Sequence, residues 1–135
     1  MYARKEEVVA DFPDPMPGSV FYEDELVYAC LAFHPIIEGH TIVVWKADVE
    51  DIGELPAQDS LYLWGVVLKI RKALLRHYNT DKVYVAYLDE SRHVHIHLFP
   101  RRPGGEEGFG LMAKPHGSLE DLSAVPKLAF LVGTV

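Results

Sequence analysis

Three histidines alternate with aliphatic residues in His93-Val94-His95-Ile96-His97-Leu98. In a β-strand, successive side chains point to opposite faces. The three imidazoles then share one face, and Val94, Ile96 and Leu98 share the other. At roughly 3.3 Å per residue the rings span about 13 Å, whereas helical spacing would scatter them. The aliphatic face suits a core, and the imidazole face meets water, a metal or a substrate. Three readings follow. The rings can be ordinary surface histidines. Two of them, at i and i+2, can share a divalent ion with a third ligand from elsewhere, such as His40 or Glu90. Or one of them is a nucleophile toward phosphorus, because a neutral imidazole is competent near neutral pH. In that case one flanking ring orients the nucleophile, and the other donates to phosphoryl oxygens or to the departing group. His95 alone has a histidine on each side, which nominates it as the nucleophile.

The strand carrying these rings needs neighbours, and the chain supplies them in order. Ser19–Tyr22 reads as a short strand, followed by a turn at Glu23-Asp24-Glu25. Leu26–Phe33 reads as a strand buried on both faces, ended by His34-Pro35 because proline cannot donate to a ladder. His40–Lys46 is rich in β-branched residues and reads as the next strand, paired with the one before it. Asp48–Leu55 is a short helix or turn. Gln58 to His77 carries the one long helical pattern, with Leu61, Trp64, Leu68 and Leu75 as its expected buried stripe. Asp59 or Ser60 is placed to cap its start, and Asn79 to stop it. Lys82–Leu88 and Arg92–Phe99 are expected to form a hairpin around Asp89-Glu90-Ser91-Arg92. Earlier, Glu6–Asp11 reads as a short helix. Later, Leu111-Met112-Ala113 reads as extended and Leu119–Leu122 as a turn or helix. Strands, a long helix and strands again predict an α+β domain with a mainly antiparallel sheet of about five strands, one long helix and a short helix. The expected organisation is a single domain over 1–135, with a core at about 19–103, an arm at 1–18 and a tail at 104–135.

Composition narrows the classes. The chain has 135 residues and a formal net charge of −7. That balance argues against a nucleic-acid polymer or a membrane surface as partner. Cys30 is the only cysteine, so no intramolecular disulfide and no cysteine-based zinc site is available. Its place in the apolar run Leu26–Phe33 reads as a small buried hydrophobe. The N-terminus has no apolar signal core, and no apolar stretch reaches the length of a membrane span, so a cytoplasmic location is expected. Phe33 and Trp45 read as core aromatics more readily than as walls for a base, and His77 and His116 as ordinary surface residues. Arg92, Arg101 and Arg102 are candidates for phosphate contact.

His93-Val94-His95-Ile96-His97-Leu98-Phe99, followed by Pro100-Arg101, resembles the signature of the histidine triad nucleotide hydrolases and transferases. Gly39-His40-Thr41-Ile42-Val43-Val44-Trp45-Lys46 is similar to that family's upstream Gly-His strand. Val20-Phe21-Tyr22-Glu23-Asp24-Glu25 resembles its first strand and turn. The resemblance covers roughly residues 19–103. It implies a histidine triad (HIT)-like fold, commonly a homodimer. It also implies a nucleotide or nucleotide conjugate as substrate, attacked at the α-phosphorus through a nucleotidyl-histidine intermediate, with no cofactor and no metal required for the covalent step itself, though some members are stimulated by one. By position, His95 corresponds to the nucleophile and His93 to the ring that orients it. His97 corresponds to the ring at the phosphate or leaving group, and His40 to a supporting histidine. Ser91, Arg92, Arg101 and His34 are the accompanying candidates for substrate binding. Two departures stand out. Many members carry an Asp or Asn a few residues after the buried strand, where it binds ribose. Here Leu31-Ala32-Phe33-His34-Pro35 runs straight into the proline. Many also carry Gly-Gln-Ser/Thr before the first histidine, where this chain has Leu88-Asp89-Glu90-Ser91-Arg92. These shortened loops motivate an alternative, a nucleotide-binding regulatory module with little catalysis. A metal-dependent hydrolase is the other alternative.

Overall fold

The computed structural model describes residues 15–88 and 91–134. The helix expected across Glu6–Asp11 and the turn residues Asp89 and Glu90 lie outside the described residues. In chain order come β1 (Val20–Glu23), β2 (Val27–Leu31), β3 (Thr41–Trp45), a 3-10 turn (Ile52–Glu54), α1 (Ala57–His77), β4 (Val83–Ala86), β5 (His95–Pro100), α2 (Gly108–Met112) and α3 (Val125–Val132). The strands form one sheet in the order β1-β2-β3-β5-β4, and every neighbouring pair is antiparallel. This is the α+β arrangement expected from the order of elements, with the histidine strand paired on both edges.

Local chemistry explains the turns. The Asp24 carboxylate accepts from the Leu26 and Val27 amides at 2.8 and 2.9 Å, which closes the β1–β2 hairpin. Asp51 caps the 3-10 turn in a reciprocal capping box with Glu54. Side chains alternate as a pleated sheet requires. Val27, Ala29, Leu31, Val43, Trp45, Ile96 and Leu98 face α1 within the main core, whereas Tyr28, Cys30 and Val44 form a smaller cluster on the other face. Cys30 is buried, as its apolar neighbours suggested.

The long helix forms where its periodicity placed it, but its buried stripe differs from the expected one. Leu63, Val66, Val67, Ile70, Ala73 and Leu74 are buried. Leu61 is 75% exposed and Leu68 57% exposed, with Trp64 and Leu75 only partly buried. α1 is apolar on more than one side, so 3.6-residue spacing is satisfied by two different stripes. The sheet receives the one that holds the more compact Val and Ala residues. The start also differs. Pro56, rather than Asp59 or Ser60, is the N-cap, without a side-chain cap, and its carbonyl accepts from the Ser60 amide at 3.0 Å. Asn79 does end the helix, at φ 49°, the left-handed conformation asparagine tolerates.

Two further differences lie in the tail. Residues expected to be extended at Leu111-Met112-Ala113 fall in and just after α2, where Leu111 packs with Ile36 and Phe99. The helix beyond Leu119–Leu122 begins only at Val125, with Pro126 in its first turn, and Leu128 and Val132 complete the core beside α1. No helix among the described residues is long and apolar enough to cross a membrane.

Candidate active site

The site grows from β5 and its register with β3. His95 lies opposite Val44, and His97 lies opposite Ile42. Both rings therefore stand on the sheet face away from α1, bedded among apolar side chains. Their centroids are 4.9 Å apart. His40 immediately precedes β3, and its ring centroid is 5.2 Å from that of His97 and 4.4 Å from that of Phe99. Phe99 also lies parallel to His97, with an interplanar angle of 1°. Gly39 admits this approach. It has φ +89°, and a Cβ there would stand 2.6 Å from the Tyr78 ring.

His93 departs from the expected row. It precedes β5 in a bend, is 1% exposed, and its Nε2–H donates to the Trp45 carbonyl at 2.5 Å. The imidazole face is thus less open than alternation suggested: His95 is 7% exposed and His40 2%. The His93 backbone reaches His95 directly. His95 Nδ1 lies 2.7 Å from the His93 carbonyl oxygen. A carbonyl only accepts, so Nδ1 carries the proton and donates, and Nε2 carries the lone pair. Ser91 Oγ lies 3.2 Å from the same Nδ1 and donates to the same carbonyl at 3.3 Å.

The other two rings are assigned by the same logic, starting from an amide. The Ile36 N–H donates to His40 Nδ1 at 3.2 Å, so the His40 proton sits on Nε2. That N–H then donates to His97 Nδ1 at 2.9 Å. His97 must accept at Nδ1 and carry its own proton on Nε2. One backbone amide therefore sets two tautomers in series. The result is a lone pair at His95 Nε2 beside an N–H at His97 Nε2. Both supporting rings are kept neutral. Burial pulls the His40 pKa down to about 3, helped by the fields of His97 and His116. Burial likewise pulls His97 down to about 4, helped by His95 and His116.

The remaining candidates are distributed unevenly. Ser91 reaches His95, as described. Arg92 is exposed beside it. Arg101 lies past the end of β5, where Asp81 and Glu107 hold its guanidinium at 3.0 and 3.3 Å. Arg102 pairs with Glu38 at 2.6 Å. His34 borders the site from the β2–β3 connection, with Nδ1 3.3 Å from the Gly117 carbonyl. Three contributors were not visible in the sequence reading. These are the Ile36 amide, the Trp45 carbonyl and His116, which the tail brings close enough for its field to act on both His40 and His97. Backbone groups carry no residue-type signal, and His116 is too distant in sequence from the triad for any periodicity to reveal it. A cleft of about 470 Å³ borders His40 from the side of Tyr78 and Leu119 but includes neither His95 nor His97. Among the described residues, no three His, Cys, Asp or Glu side chains form a set able to hold a metal ion.

Comparison with known proteins agrees with this fold. A family model described as HIT domain matches residues 15–104. The chain is 29% identical over 91 residues to a bis(5'-adenosyl)-triphosphatase of Dictyostelium discoideum, a match covering 63% of this chain and 61% of that protein. It is 30% identical over 97 residues to a bifunctional bis(5'-adenosyl)-triphosphatase/adenylylsulfatase of Arabidopsis thaliana, covering 67% and 54%. The chain thus spans less than two thirds of each of these relatives. Among solved structures, a zinc-bound histidine triad family protein from Mycobacterium smegmatis superposes with a TM-score of 0.73 at 23% identity, covering 88% of this chain and 86% of that one. At that identity the likeness speaks to the fold.

Proposed function

The chain belongs to the HIT domain family, and from that premise we propose that it is a nucleotide hydrolase or transferase acting at the α-phosphorus of a nucleotide ester, anhydride or phosphoramidate. The observation that carries this reading is the pairing of an unprotonated His95 Nε2 with a protonated His97 Nε2 on one strand face. In the first step His95 Nε2 gives its lone pair to phosphorus, and the bond from phosphorus to the leaving group breaks. His97 Nε2–H donates a hydrogen bond to the departing atom as that atom gathers negative charge, and a basic leaving group takes its proton from solvent. The His93 carbonyl, accepting from His95 Nδ1–H, stabilises the positive charge that develops on the imidazole. In the second step water attacks phosphorus. The N–P bond breaks with its electron pair returning to His95 Nε2, the water's proton is released to solvent, and the nucleoside monophosphate leaves. Another acceptor in place of water gives transfer. The names of the triphosphatase relatives support adenosine conjugates as first substrates to try.

A homodimer goes with this proposal. β4 is an edge strand, Val85 on it is exposed, and Leu61 and Leu68 lay an apolar strip along the outer side of α1. The function is tested with bis(5'-adenosyl) triphosphate labelled at the α-phosphorus and quenched without acid. Wild type is expected to show turnover and a labelled histidine. His95→Asn is expected to lower kcat by at least about a thousandfold with an unchanged circular-dichroism spectrum. Equal turnover in the variant refutes the nucleophile. Nucleotide binding without label or turnover in wild type points to the regulatory module instead.

A further inference from the structure

The tail returns to the site as a strap. The Gly117 amide donates to the Pro35 carbonyl at 2.7 Å, and the Leu119 amide donates to the Phe33 carbonyl at 3.0 Å. His116 Nδ1 lies 2.7 Å from the His34 carbonyl, and His34 Nδ1 lies 3.3 Å from the Gly117 carbonyl. Residues 116–119 are thereby laced to residues 33–35. The laced loop is the one whose next amide, Ile36 N–H, holds His40. The strap therefore sits at the His40 end of the imidazole row, and its histidine acts electrostatically on both His40 and His97.

The tautomer of His116 follows from its partner. The His34 carbonyl accepts only, so Nδ1 carries the His116 proton and Nε2 carries a lone pair. A phosphate oxygen is itself an acceptor and gains nothing from that atom. A hydroxyl donor does. His116 is exposed, so a ligand can reach it. In a nucleotide held at phosphorus by His95 and His97, the donors nearest the phosphorus are the hydroxyls of the sugar. Amino groups on the base lie beyond them. We propose that His116 is a substrate-contacting residue that accepts a hydrogen bond from a sugar hydroxyl of the bound nucleotide and so makes the site prefer ribonucleotides. This inference rests on the proposed nucleotide reaction at His95.

The test compares bis(5'-adenosyl) triphosphate with its 2'-deoxy and 3'-deoxy counterparts, in wild type, His116→Ala and His116→Asn. A neutral hydrogen bond to substrate is worth about 3–10-fold in kcat/KM. Wild type should prefer the ribonucleotide over one of the deoxy substrates by that factor, with the difference in KM. In His116→Ala the ratio should fall to about one. Asparagine keeps a short N–H donor for the His34 carbonyl but does not reach as far as Nε2. His116→Asn should therefore keep the strap docked and lose the preference as alanine does. If His116→Asn retains the preference, the role is strap docking, and the proposal is overturned. Equal losses on ribo and deoxy substrates overturn it too, because they place the contact on phosphate or base. Binding of AMP, 2'-deoxy-AMP and 3'-deoxy-AMP by calorimetry separates this outcome from failure of the reaction itself. With no turnover in wild type, a ribose preference that His116→Ala abolishes still supports the contact, and no preference refutes it.

Discussion

The neutral His40 ring ties the site to the stability of the fold, and pH is the perturbation that exposes the link. Nδ1 accepts from Ile36 N–H, so protonating it in the folded protein removes that bond and places a charge in a ring that is 2% exposed. Burial, then the fields of His97 and His116, hold the folded pKa at about 3, against 6.5 for an ordinary histidine. The folded value is below the unfolded one, so the unfolded chain binds the proton first as pH falls. The stabilisation is complete above about pH 7 and is lost progressively as pH falls from about 6.5 toward about 3. Between pH 8 and pH 5 the linkage amounts to about 2 kcal/mol for this ring. His97, held at about 4 by burial and by His95 and His116, adds about 1–2 kcal/mol after allowance for its partial exposure. Asp24 does not interfere. Burial raises it, but hydrogen bonds from Tyr22, Tyr62, Leu26 and Val27 bring its carboxyl below the ordinary 3.8 overall, so it stays ionised between pH 8 and pH 5. The assay is urea unfolding at pH 8 and pH 5, at one protein concentration, for wild type and His40→Asn. The variant should be less stable at pH 8, yet its loss between the two pH values should be smaller than that of wild type by about 2 kcal/mol. A variant whose pH dependence matches wild type within about 0.5 kcal/mol refutes the assignment of a buried neutral His40.

Three other outcomes are expected. Gly39→Ala should cost about 2–4 kcal/mol in urea unfolding, because it combines a left-handed φ of +89° with a Cβ 2.6 Å from the Tyr78 ring; a loss under about 1 kcal/mol would mean that Tyr78 moves aside freely. Ile70→Ala should cost about 2–5 kcal/mol, since Ile70 is fully buried between α1 and the sheet; a near-neutral result would reassign the buried stripe. Leu61→Glu combined with Leu68→Glu should shift sedimentation toward a monomer while leaving far-UV circular dichroism unchanged, and an unaltered sedimentation profile would remove the outer side of α1 from the proposed dimer contact.

The sequence determined a great deal here, because period-two and period-3.6 patterns are local. The alternation in His95-Ile96-His97-Leu98 sends the aliphatics under the helix and the imidazoles to the other face, as β5 shows. The paired strands before α1, the helix itself and its stop at Asn79 were legible for the same reason. Where two local patterns were equally good, the sequence offered no choice. The stripe through Leu61 and Leu68 and the stripe through Leu63, Val67, Ile70 and Leu74 both satisfy a helix, and only packing against the sheet selects the second. The tail helices were misplaced because their apolar faces acquire meaning only against elements far away in the chain. Within the site, residue types pointed to an imidazole row, but protons are placed by partners without a residue-type signature. The His93 carbonyl, the Trp45 carbonyl and the Ile36 amide decide which nitrogen of each ring donates. Side-chain chemistry is encoded residue by residue, whereas the protonation pattern that makes it usable depends on backbone groups converging from distant segments. That convergence exists only in the folded chain.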